Sequence, residues 1–401
     1  MKGTCLFTLF AIGVSRCLGD ASENRPSPKP AQSALAGLCV PPGFKIDLVA
    51  SEPLIESPVA FEWGADGKLW VVEMRDYPSG ESKAGNETNS YQKPGPALPP
   101  SGGGFRREHH GRIVFLEDSK HSGVYDKATV FLDGLTYPNS VYPWRKGVLV
   151  SANGEIFYAE DTHGDGKADV HKTILWGFSP GNPQHRVNGF ESGLDNWVYA
   201  ANGDNSGRIR SLSVKNPVAM GGCDLRFQPD SGEFELEAGC TQYGRHRDDW
   251  GNWFGDHNVT WLWHYFLPMR YLPRNSQWFV ADLKHETANY PDCRRVYPTS
   301  PMLPRYNEPA DTNQATSASS PMPYRDELFG PEYERSVFIC DSAHSLVHRE
   351  VLEPDGVTFR LTAVECGVST GQAVRTNLSR KADGMGRPVS SNASRCALAA
   401  C

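Results

Sequence analysis

Two stretches hold residues whose types and spacing suit chemistry. In the first, His185 stands eight residues ahead of a Gly193-Leu194-Asp195-Asn196 turn, which leads into a short apolar strand and then a Gly203-Asp204-Asn205-Ser206-Gly207-Arg208 loop. A strand between two such loops carries polar groups at both of its ends, and imidazole is the side chain best suited to take a proton near neutral pH. A lone loop histidine more often caps a turn or meets solvent, yet Gln184, Asn188, Asp204 and Arg208 all lie within one hairpin's reach of this one. The second stretch runs Asp161-Thr162-His163-Gly164-Asp165-Gly166-Lys167-Ala168-Asp169. Hard oxygen ligands at spaced loop positions, with glycine for the tight turn, are what Ca2+ takes. Asp161, His163, Asp165 and Asp169 are therefore candidate metal ligands. A plain Asp-Gly turn is the alternative, since His163 stands where Asp or Asn is usual and no bidentate Glu follows.

The elements that position these residues are expected to be strands. The chain has 39 Gly and 30 Pro among 401 residues, and that supply of turn-formers argues for many short strands and few helices. Gly111-Arg-Ile-Val-Phe-Leu-Glu-Asp118 through Asp126 matches Gly154-Glu-Ile-Phe-Tyr-Ala-Glu-Asp161 through Asp169 at a spacing of 43. The Gly64-Ala-Asp66 and Gly193-Leu-Asp195 turns recur at a spacing of 129, three times that. Repeats of about 40–50 residues built from short strands are the signature of propeller blades, which bury their faces only against neighbours. The reading is an all-β protein, a β-propeller spanning 43–362, with a β-sandwich as the alternative. By the period, that span supplies roughly five repeats. In the Asp118 copy most of the acidic positions are gone, so it is expected to be metal-free.

Residues 1–19, Met-Lys followed by an apolar run to Val14 and then Cys17-Leu-Gly, read as a signal peptide. Export to the periplasm or cell envelope follows. Residues 20–42 read as a flexible lead-in, Ser79 to Arg107 as a long insertion, and 363–401 as a disordered tail without aromatic residues. Phe44 to Ala50 alternates and suits an edge or closing strand. Of the ten cysteines none forms a Cys-x-x-Cys pair, so neither a zinc ribbon nor covalent haem is indicated. Cys223 and Cys240 form a hairpin disulfide or remain buried thiols. The net charge of −7 argues against nucleic acid as partner.

The order His185, Gly193-x-Asp195, apolar strand, Gly203-Asp204-x-x-Gly207-Arg208 resembles the corresponding segment of the soluble quinoprotein glucose and sorbosone dehydrogenases. Those are six-bladed propellers that bind pyrroloquinoline quinone (PQQ) on the propeller axis and use calcium. More widely, Leu69-Trp-Val-Val-Glu-Met-Arg-Asp-Tyr-Pro78, Thr316 to Arg325 and Phe338-Ile-Cys-Asp-Ser-Ala-His344 to Arg349 resemble the N-terminal propeller of proteins described as membrane-bound dehydrogenases in planctomycetes and verrucomicrobia.

The resemblance implies a six-bladed-type propeller, incomplete at its C-terminus, in an exported PQQ-dependent dehydrogenase of a sugar or related aldehyde. It makes His185 the base and places Arg208, Arg245, Arg247 and Asp204 at cofactor or substrate, with calcium on the Asp161 loop. Arg247 has a surface ion pair with Asp248 or Asp249 as its alternative role. Gln184 replaces the acidic residue that precedes the base in that family, and no cytochrome motif is present, so electrons would leave to a separate acceptor such as a cytochrome. A non-catalytic propeller that binds a glycan or protein, and a metal-dependent lactonase-type hydrolase, are the other readings.

Overall fold

The computed structural model describes residues 29–363, apart from 39, 41–42, 78–109, 180–181, 183–185, 204–206, 276, 278–281, 292, 297–313 and 345. The signal-peptide segment, the insertion at 79–107 and the tail lie outside the described residues. Among the described residues, beyond one short helix, α1 (Ala31–Leu35), and three short 3-10 turns, the regular structure is β.

The described strands form five antiparallel sheets. The first holds β1 (Pro58–Trp63), β2 (Leu69–Glu73), β3 (Gly111–Glu117) and β4 (Lys127–Leu135) in that order. The second holds β5 (Ser140–Trp144), β6 (Gly147–Ala152), β7 (Glu155–Glu160) and β8 (Val170–Phe178). Its outer edge is extended by a hairpin, β11 (Gly207–Ser211) and β12 (Val214–Ala219). The third holds β9 (Asn188–Ser192), β10 (Val198–Ala201), β13 (Asp224–Phe227) and β14 (Phe234–Glu237). The fourth holds β15 (His246–Arg247), β16 (Trp253–His257), β17 (Thr260–Tyr265) and β18 (His285–Glu286). The fifth holds β19 (Ala318–Pro323), β20 (Ser336–Asp341), β21 (Leu346–Asp355) and β22 (Thr358–Ala363). This succession of meanders, each stacked on the next, is the β-propeller type of all-β fold.

The cores lie between consecutive sheets. Val72 and Ile113 of the first meet Val148 and Phe157 of the second, while Leu149 and Ile156 of the second meet Phe190 and Phe227 of the third. Tyr199 stacks on Trp253 between the third and fourth, and Trp261 packs with Val337 and Ile339 between the fourth and fifth. A strand covered on both faces reads as a continuous apolar run rather than an alternating one. That is why β2 and β6 are buried throughout.

The two terminal faces are covered by a single segment. Ala50, Leu54 and Ile55 pack on Leu69 and Val71 of the first sheet, and Phe44 packs on Phe329 and Tyr333 beside the fifth. Apart from an isolated bridge at Lys45, residues 44–50 form no strand. Their closing role is met by side chains instead of a ladder.

The repeat at 43 is structural. Glu117 pairs with Lys127 and Glu160 with Val170, so both copies form the third and fourth strands of their sheets in the same register. The spacing of 129 is not three repeats. It leads from the β1–β2 turn to the β9–β10 turn, two sheets on, because residues 78–109 lengthen one interval. Both turns nevertheless close alike, with Gly64 N–H donating to Lys68 O at 2.9 Å and Gly193 N–H to Trp197 O at 2.8 Å.

The first strands of the sheets, β1, β5, β9, β15 and β19, are the inner ones, and they converge at their starts. There Gly244 N–H donates to Asn188 Oδ1 at 2.8 Å, Ser320 N–H to Tyr243 O at 2.8 Å, and Tyr243 OH to Val59 O at 2.7 Å. Gly244 has φ +84°, and a Cβ on it would lie 2.8 Å from Ser320 Cα. Gly244→Ala is expected to lower stability by about 2–4 kcal/mol, from strain and the clash with backbone together; a urea midpoint unchanged from wild type would contradict this.

His264 of β17 is buried, and burial, aided by His285, pulls its pKa down to about 4. The folded state thus holds it neutral, while the unfolded chain takes up a proton near pH 6.5. Its contribution is complete above about pH 6.5 and is lost as pH falls toward 4, on the order of 1–3 kcal/mol. His264→Gln should flatten the stability profile across that window in denaturant titrations.

Candidate functional site

His185 and Asp204 lie outside the described residues, but their chain neighbours are in contact. Arg186 leads into β9, and Gly203 follows β10. A Cβ on Gly203 would sit 2.1 Å from Arg186 O, so the two backbones touch. Asn188 fixes this corner, its Nδ2 donating to Arg186 O at 2.8 Å and to Gln242 O at 2.9 Å. Gly203 N–H donates to Thr241 O at 2.9 Å. The Arg186 guanidinium lies over the Tyr137 ring, 4.9 Å from its centroid, and its buried Nε has no hydrogen-bond partner. Burial pulls the Arg186 pKa down, against the opposing fields of Tyr137 and Asp76. Asp76 Oδ2 accepts Tyr137 N–H at 3.0 Å.

Further acid-base groups lie at this end of the inner strands or on the loops beside it. Asp256 is fully buried; it accepts Tyr243 N–H at 3.1 Å, and burial holds its carboxyl well above the usual carboxylate range. His344, on the turn after β20, is also fully buried. Its Nδ1 lies 2.9 Å from Asp341 Oδ1, and its Nε2 has no hydrogen-bond partner. A carboxylate on one imidazole nitrogen with the other open is the arrangement that orients a general base. The sequence motif around His344 marked a family likeness but not this pairing, which depends on the turn after β20 folding back on the strand's end.

The sequence-predicted arginines separate. Arg208 is exposed on β11, the outer hairpin of the second sheet. Arg245 is enclosed: its Nη1 pairs with Asp224 Oδ2 at 2.7 Å, and its guanidinium lies 4.4 Å from the Tyr265 ring centroid. Asp224 in turn accepts the N–H groups of Asn202 and Thr241. Arg245 therefore braces the floor beneath the Gly203 corner rather than facing a ligand. Arg247 lies at the other end of the inner strands, in the wall of an open cavity. Asp195 of the Gly193-x-Asp195 turn is structural too, accepting from Trp197 N–H, Tyr199 OH and Arg226.

The Asp161 loop does not gather metal ligands. Asp161 accepts the N–H groups of His163, Gly164 and Gly166, the last of these foremost in lowering its pKa. Asp169 accepts Thr162 N–H and Oγ1 at 2.9 Å and meets His163 Nδ1, while Asp165 turns to Lys167 N–H. The Asp118 copy does the same, with Ser122 and Gly123 N–H on Asp118 and Ser119 on Asp126. Both loops are carboxylate-closed turns, and among the described residues no group of three or more His, Cys, Asp or Glu is placed to hold a metal ion. Cys223 and Cys240 are not joined by a disulfide. Asp161→Ala is expected to lower the melting temperature equally with Ca2+ and with a chelator, and a calcium-dependent difference in calorimetry would reverse that assignment.

Several solved structures are similar to this chain at low identity. A glucose dehydrogenase-type oxidoreductase of Thermus thermophilus is 14% identical, with a TM-score of 0.45 over 82% of this chain and 88% of that one. The PQQ-bound aldose sugar dehydrogenase of Streptomyces coelicolor is 13% identical, with a TM-score of 0.38 over 80% and 82%. A streptogramin B lyase is 8% identical, with a TM-score of 0.35 over 80% and 88%. No curated protein matches this sequence. The family model described as "Domain of unknown function (DUF7133)" matches residues 30–394, and the chain belongs to that family.

Proposed function

We propose that this chain is the propeller of an exported oxidoreductase of the quinoprotein sugar dehydrogenase kind, with His185 as the base. The observation that carries this reading is the contact between Arg186 and Gly203. It joins the two halves of the motif, so that the residues flanking His185 and Asp204 meet at one corner at the start of the inner strands. A base for this reaction removes the proton of a sugar hydroxyl as the carbon gives up hydride. PQQ, when bound, supplies the two-electron acceptor.

The residues present fit such a group at one point. Arg186 offers a half-buried guanidinium whose Nε lacks a hydrogen-bond partner, and guanidinium is the donor that a carboxylate takes best. Arg186 would hold a carboxylate of the quinone, and Arg245 would keep the floor rigid through Asp224. Arg208 and Arg247 take no part there. The substrate class is a sugar or related aldehyde, and the electrons pass onward to a separate acceptor such as a cytochrome.

The test is dye reduction by the complete chain supplied with PQQ and an aldose. Turnover is expected, and His185→Ala should reduce it by about 100-fold or more while PQQ binding persists. Arg186→Leu should weaken PQQ binding. A complete chain that binds no PQQ would overturn the reading.

A further inference from the structure

A cavity of about 660 Å³ opens where the inner strands end, at the opposite end from the Arg186–Gly203 corner. All five sheets contribute, through Trp63, Tyr142, Ser192, Arg247 and Arg325 among others. Its cations are not equivalent. Arg145 pairs with Asp230 through two bonds of 2.9 and 2.6 Å, and Arg325 lies 2.6 Å from Asp249 and 3.5 Å from Glu191. Arg247 has no carboxylate. Its Nε donates to Ser192 O at 2.7 Å and its Nη1 to Asp248 O at 3.0 Å, both neutral backbone acceptors. That clamp fixes the guanidinium in the cavity wall with Nη2 unspent. Lys146, across the same opening, adds a second positive charge.

The remaining lining limits what such a cation would receive. Glu62 and Glu191 stand in the same wall, and Glu191 is held by His246 Nδ1 at 2.8 Å. With Asp66, which pairs with Lys68, these carboxylates repel a polyanion, so nucleotides, sugar phosphates and a tricarboxylate are disfavoured. The same carboxylates accept hydroxyl donors well. Tyr142 OH and Ser192 Oγ, 2.7 Å apart, add neutral donors and acceptors, and Trp63 and Trp70 give flat apolar surface. A single negative charge, several hydroxyls and an apolar ring or chain face satisfy every part of this wall.

We infer that this cavity binds a small hydroxylated monocarboxylate, a sugar acid, with its carboxylate on Arg247 and Lys146 and its hydroxyls toward Glu62 and Tyr142. The volume suffices for one hexose-sized molecule with water. The site stands apart from the dehydrogenase reading, lying at the other end of the inner strands and needing neither His185 nor a cofactor.

The test is a titration of the complete chain with D-gluconate, D-glucose and PQQ, followed by calorimetry and by tryptophan fluorescence from Trp63 and Trp70. Gluconate is expected to bind saturably with one site, at least about tenfold more tightly than glucose, and more weakly as salt rises. Arg247→Leu should weaken gluconate by about tenfold or more. Lys146→Ala, at an exposed position that cannot unfold the chain, should weaken it by a smaller factor without moving the melting temperature. Glucose binding as tightly as gluconate, no saturable gluconate binding by the wild-type chain, or gluconate affinity unaltered in both variants would each overturn the assignment. So would PQQ displacing gluconate from this cavity.

Discussion

Everything in this fold depends on how closely the backbones approach one another at Tyr243 and Gly244. Three hydrogen bonds at that point tie the fourth sheet to the third through Asn188, to the fifth through Ser320 and to the first through Val59. A side chain at Gly244 would displace the Ser320 backbone, and one at Gly189 would press on Gly244 Cα at 2.8 Å. The start of the inner strands is thereby braced by backbone contacts, and the cavity of about 660 Å³ opens where they end. Ser320 accepts a left-handed φ of +50° to make its bond, a conformation most residues avoid.

The charge distribution follows from the same closeness. Groups buried between sheets must find partners or lose their charge. Arg226 does so with Asp195, Glu235 and Glu237, and Arg245 with Asp224. Asp256, with no cation partner among the described residues, has its carboxyl pushed well up by burial. Arg247 is the contrast, two residues beyond Arg245 yet bonded only to carbonyls.

Much of the fold was legible because repetition and turn chemistry are local. The spacing of 43 between Asp118 and Asp161 reports matching strand pairs, and Asp66 and Asp195 mark equivalent turns. The site was less legible, because side-chain destination is set by tertiary contacts. Arg245 and Arg247 look interchangeable in the sequence, and only the position of Asp224 decides which is enclosed. The Asp161 loop has calcium-like spacing, but the same carboxylate positions serve equally to receive backbone N–H groups, and a loop this short turns them inward. The agreement between 129 and three times 43 was an accident of the length of 78–109. The segment holding Asp341 and His344 signalled a family likeness but not their pairing, and Arg186 carried no signal beyond its residue type.

The segment that covers both terminal faces has a consequence for how the molecule assembles. Most pairings within the sheets join neighbouring stretches of chain, which close quickly, and even β8–β11 and β10–β13 reach across only one interposed strand pair. The contact of Phe44 with Phe329 joins positions at nearly opposite ends of the described chain, so it waits until the last sheet exists. Until then Phe329, Tyr333 and Phe338 present an uncovered aromatic face. The seam beside residues 44–55 is thus the last part of the ring to form and the first to open, and proteolytic or aggregation damage should begin there rather than between any two neighbouring sheets.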